Sequence, residues 1–224
     1  MVSVIVPIYN EEKALTKNSP YLEKLKGYAE LIFVDGGSAD RSIEIAASYG
    51  KVLLSEKGRA AQMNYGAGFA QGNILFFLHA DSIISVDTLR CIESKLRDNS
   101  FIGGCLTQRI DREGLQYRLI ESFGNIRARL TRVFYGDQGI FVRKDIFLKI
   151  GGFPEVPIME DIIFTKKLRK AGKTIVLRDK ILVSPRRWEK NGIIKTTLLF
   201  NLIIILFRMK VPLHKITHFC EDIR

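Results

Sequence analysis

The first half of the chain alternates between short apolar runs and helix-forming segments, and this alternation limits the possible folds more than any other feature. Four runs have the length and the β-branched or aromatic character of buried strands: Val2–Val6, Leu31–Val34, Lys51–Leu54 and Ile74–Leu78. Helical segments follow them: Glu11–Lys26, a helix starting at Ser38, Arg59–Ala70 and Asp87–Arg97. This order predicts an α/β fold with a mostly parallel central sheet covered by helices and joined by right-handed crossovers.

The second half has a less regular pattern. Strands are predicted at Phe101–Ile110, Gly139–Val142, Thr174–Leu177 and Ile181–Val183, and helices at Gln116–Thr131 and Ile162–Ala171. We expect residues 1–185 to form one domain. We expect residues 186–224 to form a basic, apolar helical tail that is either part of that domain or an element for a membrane interface.

A hydrophobic content of 46% excludes an intrinsically disordered protein. The net charge of +11 favours an anionic partner. Arginines are concentrated between Arg109 and Arg132, and further Lys and Arg residues lie between Arg186 and Arg224. Nucleic acid, an anionic membrane or a phosphorylated substrate would suit this excess, and a solvated basic surface is the alternative. Because the basic helix carries few interleaved aromatic residues, we expect no nucleic acid partner.

The tail segment Ile193–Phe207 is mostly apolar, but its longest uninterrupted run, Leu202–Phe207, is far below the ~20 residues that a spanning helix needs. Its basic neighbours suit a helix lying in a membrane interface. The alternatives are a helix packed on the sheet or a homodimer contact. The chain starts directly with a strand, and its three cysteines are scattered, so we expect a cytoplasmic protein, peripheral on the inner face of the membrane if the tail binds lipid.

Polar residues follow the predicted strands at the edge where ligands bind in parallel sheets. Asp81 ends the fourth strand, because a strand buried on both faces cannot accommodate a carboxylate. Pro7 ends the first strand, and Tyr9, Asn10 and Glu11 follow it. Tyr9 can stack on a base, and the other two can hydrogen-bond a base or ribose. The alternative for Asn10 is the N-cap of the following helix, which is the favoured role for this residue on its own.

Two further loops that follow predicted strands complete this edge. Asp35, followed by Gly36 and Gly37, can accept a hydrogen bond from a base or a ribose hydroxyl. Gly58 and Arg59 open a helix, which is a suitable position for a diphosphate. Neither loop contains a Rossmann glycine fingerprint or a P-loop, so dinucleotide and P-loop sites are weakly supported.

Taken together, these segments resemble the family 2 glycosyltransferases of the GT-A fold. Five motifs in order carry the resemblance: Val4-Ile5-Val6-Pro7-Ile8-Tyr9-Asn10-Glu11, Val34-Asp35-Gly36-Gly37-Ser38-Ala39-Asp40, Gly58-Arg59-Ala60-Ala61-Gln62-Met63-Asn64, Leu78-His79-Ala80-Asp81-Ser82 and Met159-Glu160-Asp161-Ile162-Ile163-Phe164. The tip from His79 to Ser82, with Gly136-Asp137-Gln138-Gly139, is similar to a small bacterial subgroup with unassigned or arsenosugar-related roles.

The resemblance implies an inverting transfer of a sugar from a nucleotide-diphosphate sugar to a hydroxyl acceptor, either lipid-linked or a small metabolite. The residues implied to hold the nucleotide of the donor are Pro7, Tyr9, Asn10, Glu11, Asp35, Gly58, Arg59 and Asp81. Asp81 would also bind a divalent cation, Mg²⁺ or Mn²⁺, on the diphosphate. Asp161, beside Glu160, would be the general base. A helix N-terminal role is the alternative for these two acids.

The chain departs from the family pattern at two positions. Gly36 replaces the second acid of the usual Asp-Asp-Gly-Ser turn, and His79 replaces the first acid of the Asp-x-Asp metal motif. Imidazole is a ligand for Mn²⁺ but a poor one for Mg²⁺, so His79 either binds the metal or bonds a phosphate or ribose. Three other functions stay open: a non-catalytic nucleotide-sugar sensor, a membrane-docking protein and a sugar nucleotidyltransferase.

Overall fold

The computed structural model describes residues 1–98 and 100–221, the side chains of 218–221 excepted. Its strands are β1 (Val2–Ile8), β2 (Glu30–Asp35), β3 (Lys51–Leu54), β4 (Ile74–Phe77), β5 (Ser82–Ile83), β6 (Gly103–Ile110), β7 (Ile140–Arg143) and β8 (Thr174–Val183). Its helices are α1 (Glu12–Lys26), α2 (Ser42–Ala47), α3 (Arg59–Phe69), α4 (Val86–Leu96), α5 (Leu115–Thr131), α6 (Lys144–Lys149), α7 (Glu160–Ala171), α8 (Arg186–Asn191), α9 (Ile193–Arg208) and α10 (Leu213–Glu221), with a 3-10 turn at Gly136–Gln138.

The strands form one sheet in the order β3-β2-β1-β4-β7-β6-β8-β5. The first four are parallel, which confirms the α/β prediction. Beyond β4 the sheet is mixed: β7 runs antiparallel to β4 and β6, while β8 is parallel to β6 and antiparallel to β5. The carboxyl ends of β1, β2 and β4 therefore meet at one edge, where most of the predicted ligand residues lie.

One local prediction about the first strand is wrong, because β1 continues through Pro7 to Ile8. The strand β4 pairs only with Val2–Ile5, and the carbonyl of Ile5 accepts the last bond on that side, from the N–H of Leu78. Pro7, two residues further along, faces the same side beyond the end of the ladder. The N–H that proline lacks is consequently not needed there.

Two other boundaries differ from prediction. The two short strands expected at Thr174–Leu177 and Ile181–Val183 are one strand, β8, because β6 stays paired with it across an irregularity between Cys105 and Thr107. The helix expected from Ser38 begins at Ser42. The residues before it form a turn that is held by side-chain hydrogen bonds.

Both faces of β1, β2 and β4 are buried, which explains why these strands appear in the sequence as continuous apolar runs, whereas β3 at the sheet edge is partly exposed. On one face Val4 and Val6 pack with residues of α1, α2 and α4. On the other face Ile5 packs with Met63 of α3 and Phe164 of α7. The sheet is thus fixed from both sides, and the loops at its carboxyl edge are held on a rigid base.

A buried amide joins the ends of two strands directly below the candidate site. The Nε2 group of Gln62 donates to the carbonyl of Ile8 at 2.8 Å and to the carbonyl of Val34 at 2.7 Å. It also explains Gly36, because a Cβ at that position would lie 3.2 Å from the Gln62 amide and 3.3 Å from the Cα of Lys57. A side chain at this position would require its neighbours to shift by a few tenths of an ångström.

The C-terminal segment forms the predicted helices, but α9 is barely covered. Of its 16 residues only Thr196 and Ile203 are buried, although most of the helix is apolar. Among residues 1–98 and 100–221, no helix combines the length and the apolar character needed to cross a bilayer.

Candidate active site

The loops after β1 and β2 are tied together by the side chain of Asn10. Its backbone N–H donates to the Ser38 hydroxyl at 2.9 Å, and its Oδ1 accepts from the N–H of Ala39 at 2.8 Å. Asn10 adopts a left-handed backbone conformation, with φ of 52°. Glu11, not Asn10, occupies the N-cap of α1, so the N-cap role favoured for Asn10 from the sequence is wrong.

The carboxylate of Asp35 is buried, with 1% exposure, and shapes its own turn. Its Oδ2 accepts from the N–H groups of Gly37 at 2.7 Å and Ser38 at 2.9 Å, while its Oδ1 accepts from the Ser38 hydroxyl. Both oxygens are therefore engaged in the loop. This arrangement holds the turn after β2 in one conformation.

Tyr9 is exposed at the carboxyl edge, as the donor role requires. The Nζ atom of Lys57 lies 3.8 Å from the centroid of its ring. Lys57 immediately precedes Gly58 and Arg59, where α3 begins as predicted. A flat aromatic face beside a flexible cation suits the base and the phosphates of a nucleotide.

Arg186, on α8, joins two of the predicted donor residues. Its guanidinium forms a bidentate pair with Glu11, at 2.7 and 2.8 Å, and its Nε lies 2.9 Å from Oδ2 of Asp81. The bidentate bond to Glu11, and to a lesser degree the charge of Asp81, raise the pKa of Arg186 above its usual value. Two carboxylates from different strand ends thus converge on one cation.

The buried position of His79 holds its pKa well below the usual range, and the charges of Arg59, Arg187 and Arg186 lower it further. The imidazole is therefore neutral at physiological pH and can accept a hydrogen bond or bind a metal. It packs against the 3-10 turn: a Cβ added to Gly136 would lie 2.9 Å from Nε2 of His79.

Asp161 projects from the first turn of α7 toward the same 3-10 turn. Its Oδ2 accepts from the N–H of Gly136 and its Oδ1 from the N–H of Ile162, both at 2.7 Å. Burial raises the pKa of Asp161 to about 7, and the neighbouring negative charge of Glu160 adds to the increase. A carboxylate with this pKa exchanges a proton readily near neutral pH.

Glu160, the residue before Asp161, is only 4% exposed. Its Oε1 lies 3.3 Å from the NH1 group of Arg59. This ion pair connects the start of α3, on the donor side, with the start of α7. Met159, the residue before Glu160, has a left-handed φ of 65°, which turns the chain sharply into α7.

A cavity of about 760 Å³ opens beside these groups. Its inner end is polar and charged, and includes His79, Asp161, Asp137, Arg59 and Arg187. Its outer part, between α5 and α9, is apolar and is lined by Leu119, Ile120, Phe123, Phe200, Ile203 and Ile204. The cavity can therefore hold a molecule with a polar, reactive head and a hydrocarbon portion.

The polar end includes residues that the sequence reasoning did not assign. Asp137 accepts from Nε2 of Gln108 at 2.6 Å, while its Oδ1 has no partner in the described part of the chain. Burial raises the pKa of Asp137. The indole N–H of Trp188 is likewise buried and unpaired among residues 1–98 and 100–221. Buried unpaired groups in a cavity are expected to pair with a ligand.

Arg187 adds a cation to the same end. No carboxylate of the described residues lies within ion-pair distance of it, and burial together with the charge of Arg59 lowers its pKa below the usual value. In the sequence, the Arg186-Arg187-Trp188 run could have indicated that Arg187 and Trp188 belong to the site. Gln108 lies in a strand and belongs to no motif.

The predicted metal residues do not form a closed metal centre. Nowhere in the described chain do three or more His, Cys, Asp or Glu side chains cluster as ligands. The carboxylate of Asp81 nevertheless already pairs with a cation, the guanidinium of Arg186. Mg²⁺ in nucleotide sites is commonly bound by one or two carboxylates and the phosphates of the substrate, so this donor set fits a cation that arrives with a diphosphate.

The sequence profile of the family described as "Glycosyl transferase family 2" matches residues 3–153. The chain belongs to this family. The match covers the loops after β1, β2 and β4 and the helix that begins at Arg59. Asp161 and the cavity wall formed by α9 lie beyond the matched range, so the family comparison does not assign them.

The chain is similar in sequence to two named glycosyltransferases. The chain is 27% identical over 198 residues to the glycosyltransferase AglE of Haloferax volcanii, covering 81% of this chain and 65% of that protein. It is 30% identical over 113 residues to a dolichyl-phosphate beta-glucosyltransferase of Trichomonas vaginalis, covering 43% of this chain and 35% of that protein. The chain thus spans less than two thirds of the length of either relative.

A solved structure confirms the GT-A fold. The mannosyltransferase PcManGT from Pyrobaculum calidifontis, in complex with GDP-Man and Mn²⁺, superposes with a TM-score of 0.65 at 20% identity. The alignment covers 81% of this chain and 56% of that protein. At this identity the likeness establishes the fold, while the chemistry of the site depends on the residues described above.

Proposed function

We propose that this family 2 protein is an inverting glycosyltransferase that moves a sugar from a nucleotide-diphosphate sugar to a hydroxyl-bearing acceptor. The observation that carries the proposal is the position of Asp161: a half-buried carboxylate with a pKa of about 7 at the polar end of a cavity. That end also contains Arg59 and His79, which belong to the predicted donor side.

The donor half uses the edge at the ends of β1, β2 and β4. Tyr9 offers a face for the base, Pro7, Asn10 and Asp35 shape the loops beneath it, and Gly58 and Arg59 face the diphosphate from the start of α3. Glu11 completes this side. These roles agree with the exposure of Tyr9 and with the hydrogen bonds that make the two loops rigid.

The chemical step needs a base across the sugar ring from the leaving group. The acceptor oxygen attacks the anomeric carbon, the bond from that carbon to the diphosphate breaks, and the electron pair leaves with the nucleotide diphosphate. Asp161 takes the proton of the acceptor hydroxyl. The amide groups of Gly136 and Ile162 orient its two oxygens, while Glu160 keeps the carboxylate basic enough to accept a proton.

A divalent cation fits at Asp81, where it would neutralise the developing charge of the diphosphate. His79 is the second candidate ligand, and its neutral state supports this role. The complex of the archaeal mannosyltransferase with GDP-Man and Mn²⁺ supports a cation in this fold. In this chain Arg59, Arg186 and Arg187 lie near His79 and supply positive charge of their own.

The acceptor is proposed to be lipid-linked. The apolar wall between α5 and α9 suits a hydrocarbon chain, and the dolichyl-phosphate beta-glucosyltransferase among the relatives supports this class. The resemblance of the tip from His79 to Ser82 to an arsenosugar-associated subgroup makes a small hydroxylated metabolite the competing acceptor. Turnover with a polyprenyl-linked acceptor against a short soluble analogue distinguishes the two.

The test of the donor site is calorimetric titration of the protein with UDP, GDP, CDP and dTDP in EDTA, Mg²⁺ or Mn²⁺. We expect one nucleotide to bind tightly only with metal, and Asp81→Ala to abolish that binding. Tight binding in EDTA would instead assign the diphosphate to His79 and the arginines. If no nucleotide binds, the proposal is wrong and a membrane-docking role takes its place.

Two alternative functions give other results. A non-catalytic sensor would bind the donor but turn over no acceptor. A sugar nucleotidyltransferase would release pyrophosphate from a nucleoside triphosphate and a sugar phosphate. That activity is disfavoured because the loop after β1 has Tyr9-Asn10-Glu11-Glu12 where such enzymes usually carry a basic glycine-rich loop.

A further inference from the structure

The exposed surface of α9 carries a continuous apolar row. Five large side chains recur at a helical spacing and are between 40% and 76% exposed: Ile194, Leu198, Leu202, Ile205 and Met209. An apolar helix with only two buried residues is unusual at a surface that faces only water. The row is too long and regular to be a scatter of single exposed residues.

The helix α5 carries a second row with the same spacing. Its members are between 50% and 80% exposed: Leu115, Leu119, Phe123, Ile126 and Leu130. The opposite face of α5 is fixed to the sheet through Tyr117, Glu121, Asn125 and Ala128, which are buried. The row therefore points away from the core, on a helix that is itself firmly anchored.

The two rows flank the cavity of the candidate active site. Leu119 and Phe123 belong to the α5 row and also line the cavity. On α9 the cavity is lined by residues including Thr197, Asn201 and Ile204, each one position before a member of the exposed row. One position on a helix is about 100° of rotation, so the exposed row is adjacent to the lining row.

Positive charge dominates around both rows, although Asp111 and Glu113 are exposed just before α5. Glu121 is the single acid in α5, and it is buried against Arg118 at 2.6 Å. From Asn191 to Cys220 the sequence has no Asp or Glu, whereas Lys195, Arg208, Lys210 and Lys215 are exposed there. Within α5 and from Asn191 to Cys220, the apolar rows are thus accompanied by exposed cations and by no exposed carboxylate.

We propose that the rows of α5 and α9 together form a docking surface for an anionic lipid bilayer, with the mouth of the cavity between them. The apolar side chains enter the interface while the basic residues meet the acidic headgroups. A second copy of the chain fits this surface poorly, because symmetric pairing would bring cations against cations. The surface would give a membrane-borne molecule direct access to the cavity.

The experiment compares three variants with the intact chain in vesicle flotation. One variant changes the α5 row outside the cavity (Leu115→Gln, Ile126→Gln, Leu130→Gln), and a second changes the α9 row (Ile194→Gln, Leu198→Gln, Ile205→Gln). The matched control changes exposed apolar residues elsewhere: Leu54→Gln, Phe69→Gln and Leu148→Gln. Vesicles contain phosphatidylglycerol with phosphatidylcholine, or phosphatidylcholine alone.

We expect the intact chain and the control to float with the anionic vesicles, and each row variant to lose at least about tenfold in partitioning. High salt should weaken the binding, since the cations contribute. Loss in the α9 variant with full binding by the α5 variant would overturn the two-helix surface. Concentration-dependent dimers in analytical ultracentrifugation, without vesicle binding, would overturn the lipid assignment.

Nucleotide titration of the same variants separates this proposal from the proposed function. Because no substituted residue lines the cavity or the donor loops, the nucleotide affinity should be unchanged in all three variants. A protein that binds vesicles but no nucleotide would uphold the docking surface and refute the transferase.

Discussion

The Nε atom of Arg186 lies 2.9 Å from Oδ2 of Asp81, so the residue expected to meet the donor cation already holds a guanidinium. The same arginine holds Glu11 by two hydrogen bonds. Binding of a cation at Asp81 must therefore compete with this ion pair, and the competition can be measured.

Replacing Arg186 with Gln should lower the Mn²⁺ concentration needed for half-maximal nucleotide binding by several-fold, because the competing charge at Asp81 is lost. Calorimetric titration at increasing Mn²⁺ measures this. The control is Arg90→Gln, which removes an exposed ion pair with Asp87 within α4. A variant that needs more Mn²⁺ would place Arg186 on the donor diphosphate instead.

Asp161→Asn should reduce turnover by about 10²–10⁴-fold while leaving donor affinity nearly unchanged, because the substitution removes the base and keeps the shape. The rate of sugar transfer and the nucleotide Kd are the two measurements. A comparable loss of nucleotide affinity would mean that Asp161 contacts the donor or supports the fold.

The rate should depend on pH through Asp161. Its folded pKa of about 7 lies above the ordinary value, and the base acts only when ionised, so kcat/KM should rise with pH through about 7 and then level off. Glu160→Gln removes a negative charge that raises this pKa, so the acidic limb should move to lower pH. An unchanged limb in Glu160→Gln would assign the titration to another group.

Gly136→Ala should lower turnover by about 10²-fold, because the new Cβ would lie 2.9 Å from Nε2 of His79 and 3.6 Å from Oδ2 of Asp161. The matched control is Gly68→Ala in α3, where a Cβ meets nothing within 4 Å. That control should keep full activity and gain slightly in stability. Equal losses in both variants would rule out a specific effect at the 3-10 turn.

Gln62→Leu should destabilise the protein by about 2–4 kcal/mol, since two buried carbonyl groups lose their donor. The corresponding fall in Tm is roughly 5–15 °C, measurable by calorimetry. Gln71→Leu, at an exposed position, is the control and should shift Tm little. A small effect of Gln62→Leu would mean that water replaces the amide.

The sequence was sufficient to predict the parallel half of the fold, because strands buried on both faces are continuous apolar runs and their connecting helices begin and end with local signals. The mixed half was harder. The strand β8 contains the polar run Arg178-Asp179-Lys180, so it looked like two strands, and only its pairing with β6 reveals one.

The candidate site divides in the same way. Residues at strand ends, such as Asp81 and Glu11, could be located from the sequence because the sheet edge collects them. Their partner Arg186 is far along the chain, and no local pattern signals that contact. Asn10 shows the opposite error: its residue type favours a helix cap, but the neighbouring loop offers it Ser38 and Ala39 as partners.

The helix α8 is only six residues long, but it contacts both the proposed donor region and the cavity. Arg186 pairs with Glu11 and Asp81, while Trp188 lines the cavity under α9. If displacing Arg186 shifts α8 as a body, Trp188 moves with it, and the donor then alters the affinity for an acceptor in the cavity. By thermodynamic reciprocity the acceptor alters the donor affinity by the same factor. If the proposed transfer takes place, the apparent affinity for each substrate should therefore depend on the concentration of the other.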